Sequence, residues 1–126
     1  MFTILIVDDS EDILEALKIF LEFKGYNALT ARNKKSMFMQ LDGLLPDLIL
    51  LDTYLDGNSG REICHELRRN ERSRNVPIIL MSANEKLLRN YEECGATDVL
   101  AKPFHLQELI NGIETALKTN KQLKRI

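Results

Sequence analysis

Asp8 and Asp9 stand directly after the apolar run Ile4–Val7, Asp52 directly after Leu48–Leu51, Ser82 after Ile78–Met81, and Lys102 three residues after Val99. Three carboxylates gathered in one crevice repel each other, and one of them takes up a proton unless a cation intervenes. All-oxygen, carboxylate-rich ligation suits Mg²⁺, which keeps several waters and shares its shell with phosphate oxygens; Mn²⁺ could substitute. The Lys102 ammonium is a compact point charge suited to a phosphate oxygen. The Ser82 hydroxyl can donate a hydrogen bond to the same group. One of the carboxylates can act as a nucleophile toward phosphorus, as in enzymes that form an aspartyl phosphate. These are the parts needed to hold a phosphoryl group and to accept it, provided that the fold brings them together.

The intervening elements must do that. Thr3–Val7 is β-branched and aliphatic without polar alternation, and reads as a buried strand. Ser10 to Lys24 has helical period, with Ile13, Leu14, Leu17, Phe20 and Leu21 on one face, and Gly25 suits its C-terminal stop. Tyr26–Thr30 is a weaker second strand. Lys34 to Leu44 reads as a second helix through Met37, Phe38, Leu41 and Leu44, ended by Pro46–Asp47 ahead of the third strand, Leu48–Leu51. Asp56-Gly57-Asn58-Ser59-Gly60 is turn chemistry, followed by a third helix with Ile63, Cys64 and Leu67 inward. Pro77–Met81 is the fourth strand, and Glu85–Cys94 a fourth helix closed by Gly95. Val99–Ala101 is a short fifth strand, and Leu106, Leu109, Ile110, Ile113, Ala116 and Leu117 mark the last helix.

Five strands alternating with five helices predict an α/β fold, a doubly wound three-layer sandwich around a parallel sheet. The order 2-1-3-4-5 is the common flavodoxin-like solution at this size, with right-handed crossovers. In open sheets of this kind the site lies beyond the carboxyl ends of the strands. Strands one, three, four and five are neighbours in that order. Asp8, Asp9, Asp52, Ser82 and Lys102 then share one crevice although they span 94 positions.

The chain resembles a response-regulator receiver domain over nearly its whole length, residues 2 to about 118. The matching segments are Ile6-Val7-Asp8-Asp9-Ser10, Leu51-Asp52 with Gly60 eight residues on, Pro77-Ile78-Ile79-Leu80-Met81-Ser82-Ala83, and Lys102-Pro103-Phe104. The resemblance implies that Asp52 is the phosphoacceptor and that Asp8 and Asp9 hold Mg²⁺, joined by Asp52 and the backbone carbonyl of Tyr54. It implies Ser82 as the switch hydroxyl, Lys102 as the phosphate-pairing lysine, and a cis Lys102–Pro103 bond. It further implies a phosphohistidine donor, either a sensor histidine kinase or a histidine phosphotransfer protein. The expected readout is a protein-binding surface of helix four, strand five and helix five. The chain would be a switch that assists its own phosphorylation and dephosphorylation, with no turnover substrate. It would work in the cytoplasm, as a monomer or as a phosphorylation-dependent dimer. Cognate kinase and downstream protein stay open.

The pattern departs from the family at a few positions. Asp56 stands where proline is usual. Val99 replaces the aromatic that turns inward on activation in many members. Tyr54 and Asn84 occupy variable positions linked to the rate of dephosphorylation.

Composition narrows the alternatives. The chain has 126 residues, a net charge of −2 and no long apolar run, so direct nucleic-acid binding and a membrane span are not expected. The expected organisation is a receiver domain at residues 1–119 with a short basic tail at 120–126, and no output domain. Lys118, Lys121, Lys124 and Arg125 suit the C-terminal end of a helix. Cys64 and Cys94 read as reduced thiols. His65 and His105 read as solvated, since position 69 is Arg and no HExxH motif is made. The main rival is a receiver-like adaptor that never uses phosphate. A flavodoxin-like electron carrier is disfavoured because Asp8–Asp9 would repel a flavin phosphate.

Overall fold

The computed structural model describes residues 1–124, with side chains through Asn120. Strands β1 (Thr3–Val7), β2 (Asn27–Ala31), β3 (Leu48–Asp52), β6 (Ile78–Ser82) and β7 (Asp98–Ala101) form one parallel sheet of order β2-β1-β3-β6-β7. This is the expected 2-1-3-4-5 winding. Between β3 and β6 lies a small antiparallel hairpin, β4 (Tyr54–Leu55) and β5 (Asn58–Ser59). The helices are α1 (Glu11–Phe23), α2 (Lys34–Gly43), α3 (Gly60–Arg69) and α4 (Leu106–Lys124).

Alternation along each strand splits the core in two. Ile4, Ile6, Leu48, Leu50, Ile79 and Met81 face α1 and α4, where they meet Leu14, Leu17, Leu21, Leu109 and Ile113. Leu5, Val7, Ile49, Leu51, Ile78 and Leu80 face the other way, toward Met37, Leu41, Ile63 and Leu67 of α2 and α3. Both faces of the sheet are therefore dry, which is why its strands read as unbroken apolar runs.

Helix boundaries follow local hydrogen-bonding chemistry. Ser10 caps α1 by accepting the backbone N–H of Ile13. Asn33 and Ser36 form a reciprocal capping box on α2. Ser59 caps α3 from its side chain.

The predicted helix over Glu85–Cys94 is a correction. That stretch is two 3₁₀ turns, Glu85–Leu88 and Tyr91–Cys94, with Asn90 left-handed between them at φ 51°. The reason is tertiary. The guanidinium of Arg61, on α3, donates to the carbonyls of Leu87, Arg89 and Asn90 at 3.0, 2.8 and 3.1 Å, and so braces the chain where the helix is interrupted at the left-handed Asn90. The expected readout surface accordingly consists of these two turns, β7 and α4. The turn Asp56-Gly57 is tighter than its composition suggested. Both residues are left-handed, at φ 43° and 91°, which is the two-residue hairpin geometry that Asp-Gly favours. Proline, fixed near φ ~ −65°, could not occupy position 56 in this hairpin.

The basic tail falls partly outside the described residues. α4 continues through Lys124, while Arg125 and the side chains of Lys121 and Lys124 lie beyond them. Cys64 and Cys94 are free and buried, and burial pushes the Cys64 thiol up to about 12. His65 and His105 are exposed. No helix among the described residues is long and apolar enough to cross a membrane.

Candidate phosphoryl-accepting site

Every strand that ends in a polar residue delivers it to the same edge of the sheet. β1 ends at Val7, and Asp8 follows with only 1% of its surface exposed. One Asp8 carboxylate oxygen accepts the backbone N–H of Ser10 at 3.0 Å, which ties it to the start of α1. The other accepts the Lys102 ammonium at 2.7 Å. Asp52 closes β3, next to β1 in the sheet, and its carboxylate lies 3.5 Å from the same ammonium. Asp9 is exposed at the rim. One oxygen from each of Asp8, Asp9 and Asp52 can be chosen so that all lie within 4.8 Å of one another.

Lys102 follows β7, at the far end of the sheet from α2, and reaches across β6 to the acids. Its backbone N–H is held by the Ser82 carbonyl at 2.8 Å, and its peptide bond to Pro103 is cis. Phe104 then turns back toward α1. A hollow of about 420 Å³ opens there, lined mainly by Ile13, Leu17, Pro103 and Phe104, with Lys102 on its rim.

Electrostatics in the crevice are unbalanced. Burial pushes the Asp52 carboxyl above its ordinary range, and the Asp8 carboxylate adds to this. Lys102 and the Tyr54 backbone N–H pull the other way, and Asp9 raises it again. Three acids thus share the crevice with one ammonium, which pairs with Asp8 and Asp52. Two positive charges on a divalent cation would relieve the excess, so the residues present fit Mg²⁺.

Ser82 is placed differently from the other four. It is 3% exposed, and its hydroxyl oxygen accepts the Thr53 hydroxyl at 2.7 Å and the Asn84 backbone N–H at 3.0 Å. The register pairs Asp52 with Met81, so Thr53 and Ser82 are the next pair along, and the pleat turns both to the face opposite Asp52. Asn84 is exposed and caps the first 3₁₀ turn through its own side chain. Tyr54 is 59% exposed on β4, beside the acids. Val99 is half-buried and packs with the α3-side core.

Gly60 limits where Asp52 can sit. A Cβ at position 60 would lie 2.0 Å from the Asp52 carbonyl oxygen and 2.7 Å from the Thr53 Cα. The Gly60 N–H donates to the Thr53 carbonyl at 2.8 Å, so α3 starts directly against the strand that carries Asp52. Thr53 and Arg61 were missed from sequence. For Thr53 the signal existed, as a hydroxyl residue at the end of an apolar strand and in phase with Leu51. For Arg61 there was none, because its three partners are backbone carbonyls.

The family model of the response regulator receiver domain matches residues 4–114. The chain belongs to that family. It is 38% identical over 118 residues to the phosphate regulon transcriptional regulatory protein PhoB of Pseudomonas aeruginosa, an alignment covering 92% of this chain and 52% of that protein. It is 35% identical over 126 residues to the nisin biosynthesis regulatory protein NisR of Lactococcus lactis, covering 98% of this chain and 54% of that one. The receiver therefore spans about half the length of these curated relatives. Among solved structures, the receiver domain of NtrX from Brucella abortus superposes with a TM-score of 0.85 at 29% identity, over 92% of this chain and 98% of that one. The chemotaxis protein CheY4 of Vibrio cholerae gives 0.84 at 25% identity, over 92% and 98%.

Proposed function

We propose that this receiver accepts a phosphoryl group on Asp52 from a phosphohistidine, carried by a sensor histidine kinase or a histidine phosphotransfer protein in the cytoplasm. The observation that supports this most is the charge arrangement. Asp52 ends its strand with one side open, flanked by two further carboxylates within 4.8 Å and by an ammonium 3.5 Å away.

Each residue has a role in that chemistry. An Asp52 carboxylate oxygen attacks phosphorus as the bond to the donor imidazole breaks, and the imidazole leaves with the bonding pair. Lys102 sits where charge builds up on the moving phosphoryl, and it is already held in place by Asp8. Asp8, Asp9, Asp52 and the Tyr54 backbone carbonyl would hold Mg²⁺, which supplies charge neutralisation for phosphoryl oxygens when bound. Tyr54 and Asn84 are exposed and occupy the two variable positions that in receiver domains bear on the lifetime of the acyl phosphate. The apolar hollow beside Lys102 leaves room for a donor protein to bring its histidine to the crevice.

The phosphorylated state then draws Ser82 from its resting place and moves the chain after β6, which carries the two 3₁₀ turns. This biases two pre-existing conformations of the surface formed by those turns, β7 and α4. With valine at position 99, that response runs through Ser82 without a rotating aromatic. The protein acts as a switch read by a protein partner and turns over no separate substrate.

The direct test is incubation with Mg²⁺ and acetyl phosphate, followed by intact mass analysis. A mass-shifted, hydrolysable adduct that requires Mg²⁺ and disappears in Asp52→Asn is expected. No adduct, or an adduct that survives in Asp52→Asn, overturns the proposal.

A further inference from the structure

Thr53 is 4% exposed, and its hydroxyl donates to Ser82 at 2.7 Å, on the face of the sheet opposite Asp52. Its backbone is fixed independently, with its N–H on the Met81 carbonyl and its carbonyl receiving Gly60 N–H. Thr53 therefore stays put when Ser82 moves. We propose that Thr53 is a positioning residue, a latch that holds the Ser82 hydroxyl in its resting orientation and sets how readily the receiver switches. This rests on the reading of Ser82 as the group that turns toward the phosphoryl.

The physical argument is one of partner loss. In the resting state Ser82 is held by two donors, the Thr53 hydroxyl and the Asn84 N–H. Turning away releases both. Asn84 is exposed and its N–H finds water. The Thr53 hydroxyl, closed off between β3 and β6, is left unpaired. A buried hydroxyl without a partner shifts an equilibrium by about tenfold. Valine has the same shape but no hydroxyl, so it removes the resting bond and leaves nothing unpaired after the switch. Thr53→Val must move the equilibrium toward the switched state.

The experiment titrates the full chain with beryllofluoride in saturating Mg²⁺, a phosphoryl analogue that favours the switched state, and reads binding by calorimetry. Thr53→Val is expected to bind about tenfold more tightly than the wild type. Thr53→Ala serves in its place if the valine variant does not fold, with the same direction expected. Thr53→Ser, which keeps the hydroxyl, is expected to return to the wild-type affinity. On a Ser82→Ala background, Thr53→Val is expected to change nothing, which a merely structural role for Thr53 would not produce. Acetyl phosphate adducts measured on the same preparations separate the two proposals. If the wild type forms no Mg²⁺-dependent adduct on Asp52, the phosphoacceptor reading fails. If it does, and Thr53→Val binds within twofold of wild type or tightens equally without Ser82, the latch alone is overturned.

Discussion

Replacing Gly60 with alanine tests whether the start of α3 sets the position of Asp52. The added Cβ would lie 2.0 Å from the Asp52 carbonyl oxygen, 2.7 Å from Thr53 Cα and 2.9 Å from the Asp52 carbonyl carbon. All three are backbone atoms of β3 or its continuation, so no side chain can swing aside. Overpacking typically costs about 1–3 kcal/mol, and rigid neighbours put this site at the upper end. Alanine recovers about 0.5–1 kcal/mol through its better helix propensity. The net loss is about 2 kcal/mol. With an unfolding entropy near ~2.1 cal/mol/K per residue over 126 residues, this corresponds to a fall in Tm of about 8 °C. Gly43→Ala is the matched control. Nothing lies within 4 Å of its added Cβ, and the change is expected to be neutral or stabilising by up to ~1 kcal/mol. Because the Gly60 clash falls on the peptide of Asp52 itself, relaxation also displaces the Asp52 carboxylate, the proposed acceptor. Misplacement by about 1 Å can cost on the order of a hundredfold in rate. The assay pairs urea melts of both variants with the initial rate of adduct formation from acetyl phosphate. Equal stability for the two variants within ~0.5 kcal/mol, or an unchanged rate in Gly60→Ala, would refute the reasoning.

Other perturbations read the site independently. The folded chain holds the Asp52 carboxyl above its ordinary value, so it binds that proton more tightly than the unfolded chain. Stability tied to this group is greatest at low pH and falls as the pH rises through the folded value. Asp52→Asn should therefore raise Tm by a few degrees at pH 7, with the gain shrinking as the pH enters the ordinary carboxylate range; a Tm below wild type at pH 7 contradicts this. Mg²⁺ should stabilise the wild type by about 2.7 kcal/mol at a hundred times its Kd. Thermal melts at matched ionic strength check that shift, and Asp9→Asn, a change at an exposed rim position, should weaken it. Arg61→Ala removes the donors to three carbonyls of the segment after β6, and is expected to cost about 1 kcal/mol and to speed amide exchange across residues 85–94. Arg61→Lys should not restore protection, since one ammonium cannot span the three carbonyls; full recovery with lysine would show that charge alone suffices.

Much of the site was legible in one dimension because strands buried on both faces must be continuous apolar runs, and each run must end at the surface. The first polar residue after each of Ile4–Val7, Leu48–Leu51 and Ile78–Met81 therefore marks the carboxyl edge of the sheet, and parallel winding puts those edges side by side. That placed Asp8, Asp52 and Ser82, and the short β7 added Lys102. Residue types supplied the parts for holding a phosphoryl group, and the resemblance to the receiver family gave each of them its expected role. The direction in which each side chain points was not legible. Asp52 and Thr53 are neighbours in the chain, yet the pleat sends one to the acidic crevice and the other to Ser82 on the opposite face. The segment 85–94 shows the other limit. Its Leu87, Leu88 and Tyr91 spacing is helical, but the segment is two 3₁₀ turns broken at the left-handed Asn90, and three of its carbonyls are braced by Arg61 from 26 to 29 positions away. Local pattern determines which residues must be buried and where strands end. Which donor reaches which acceptor depends on contacts distant in sequence, and only the tertiary structure decided those.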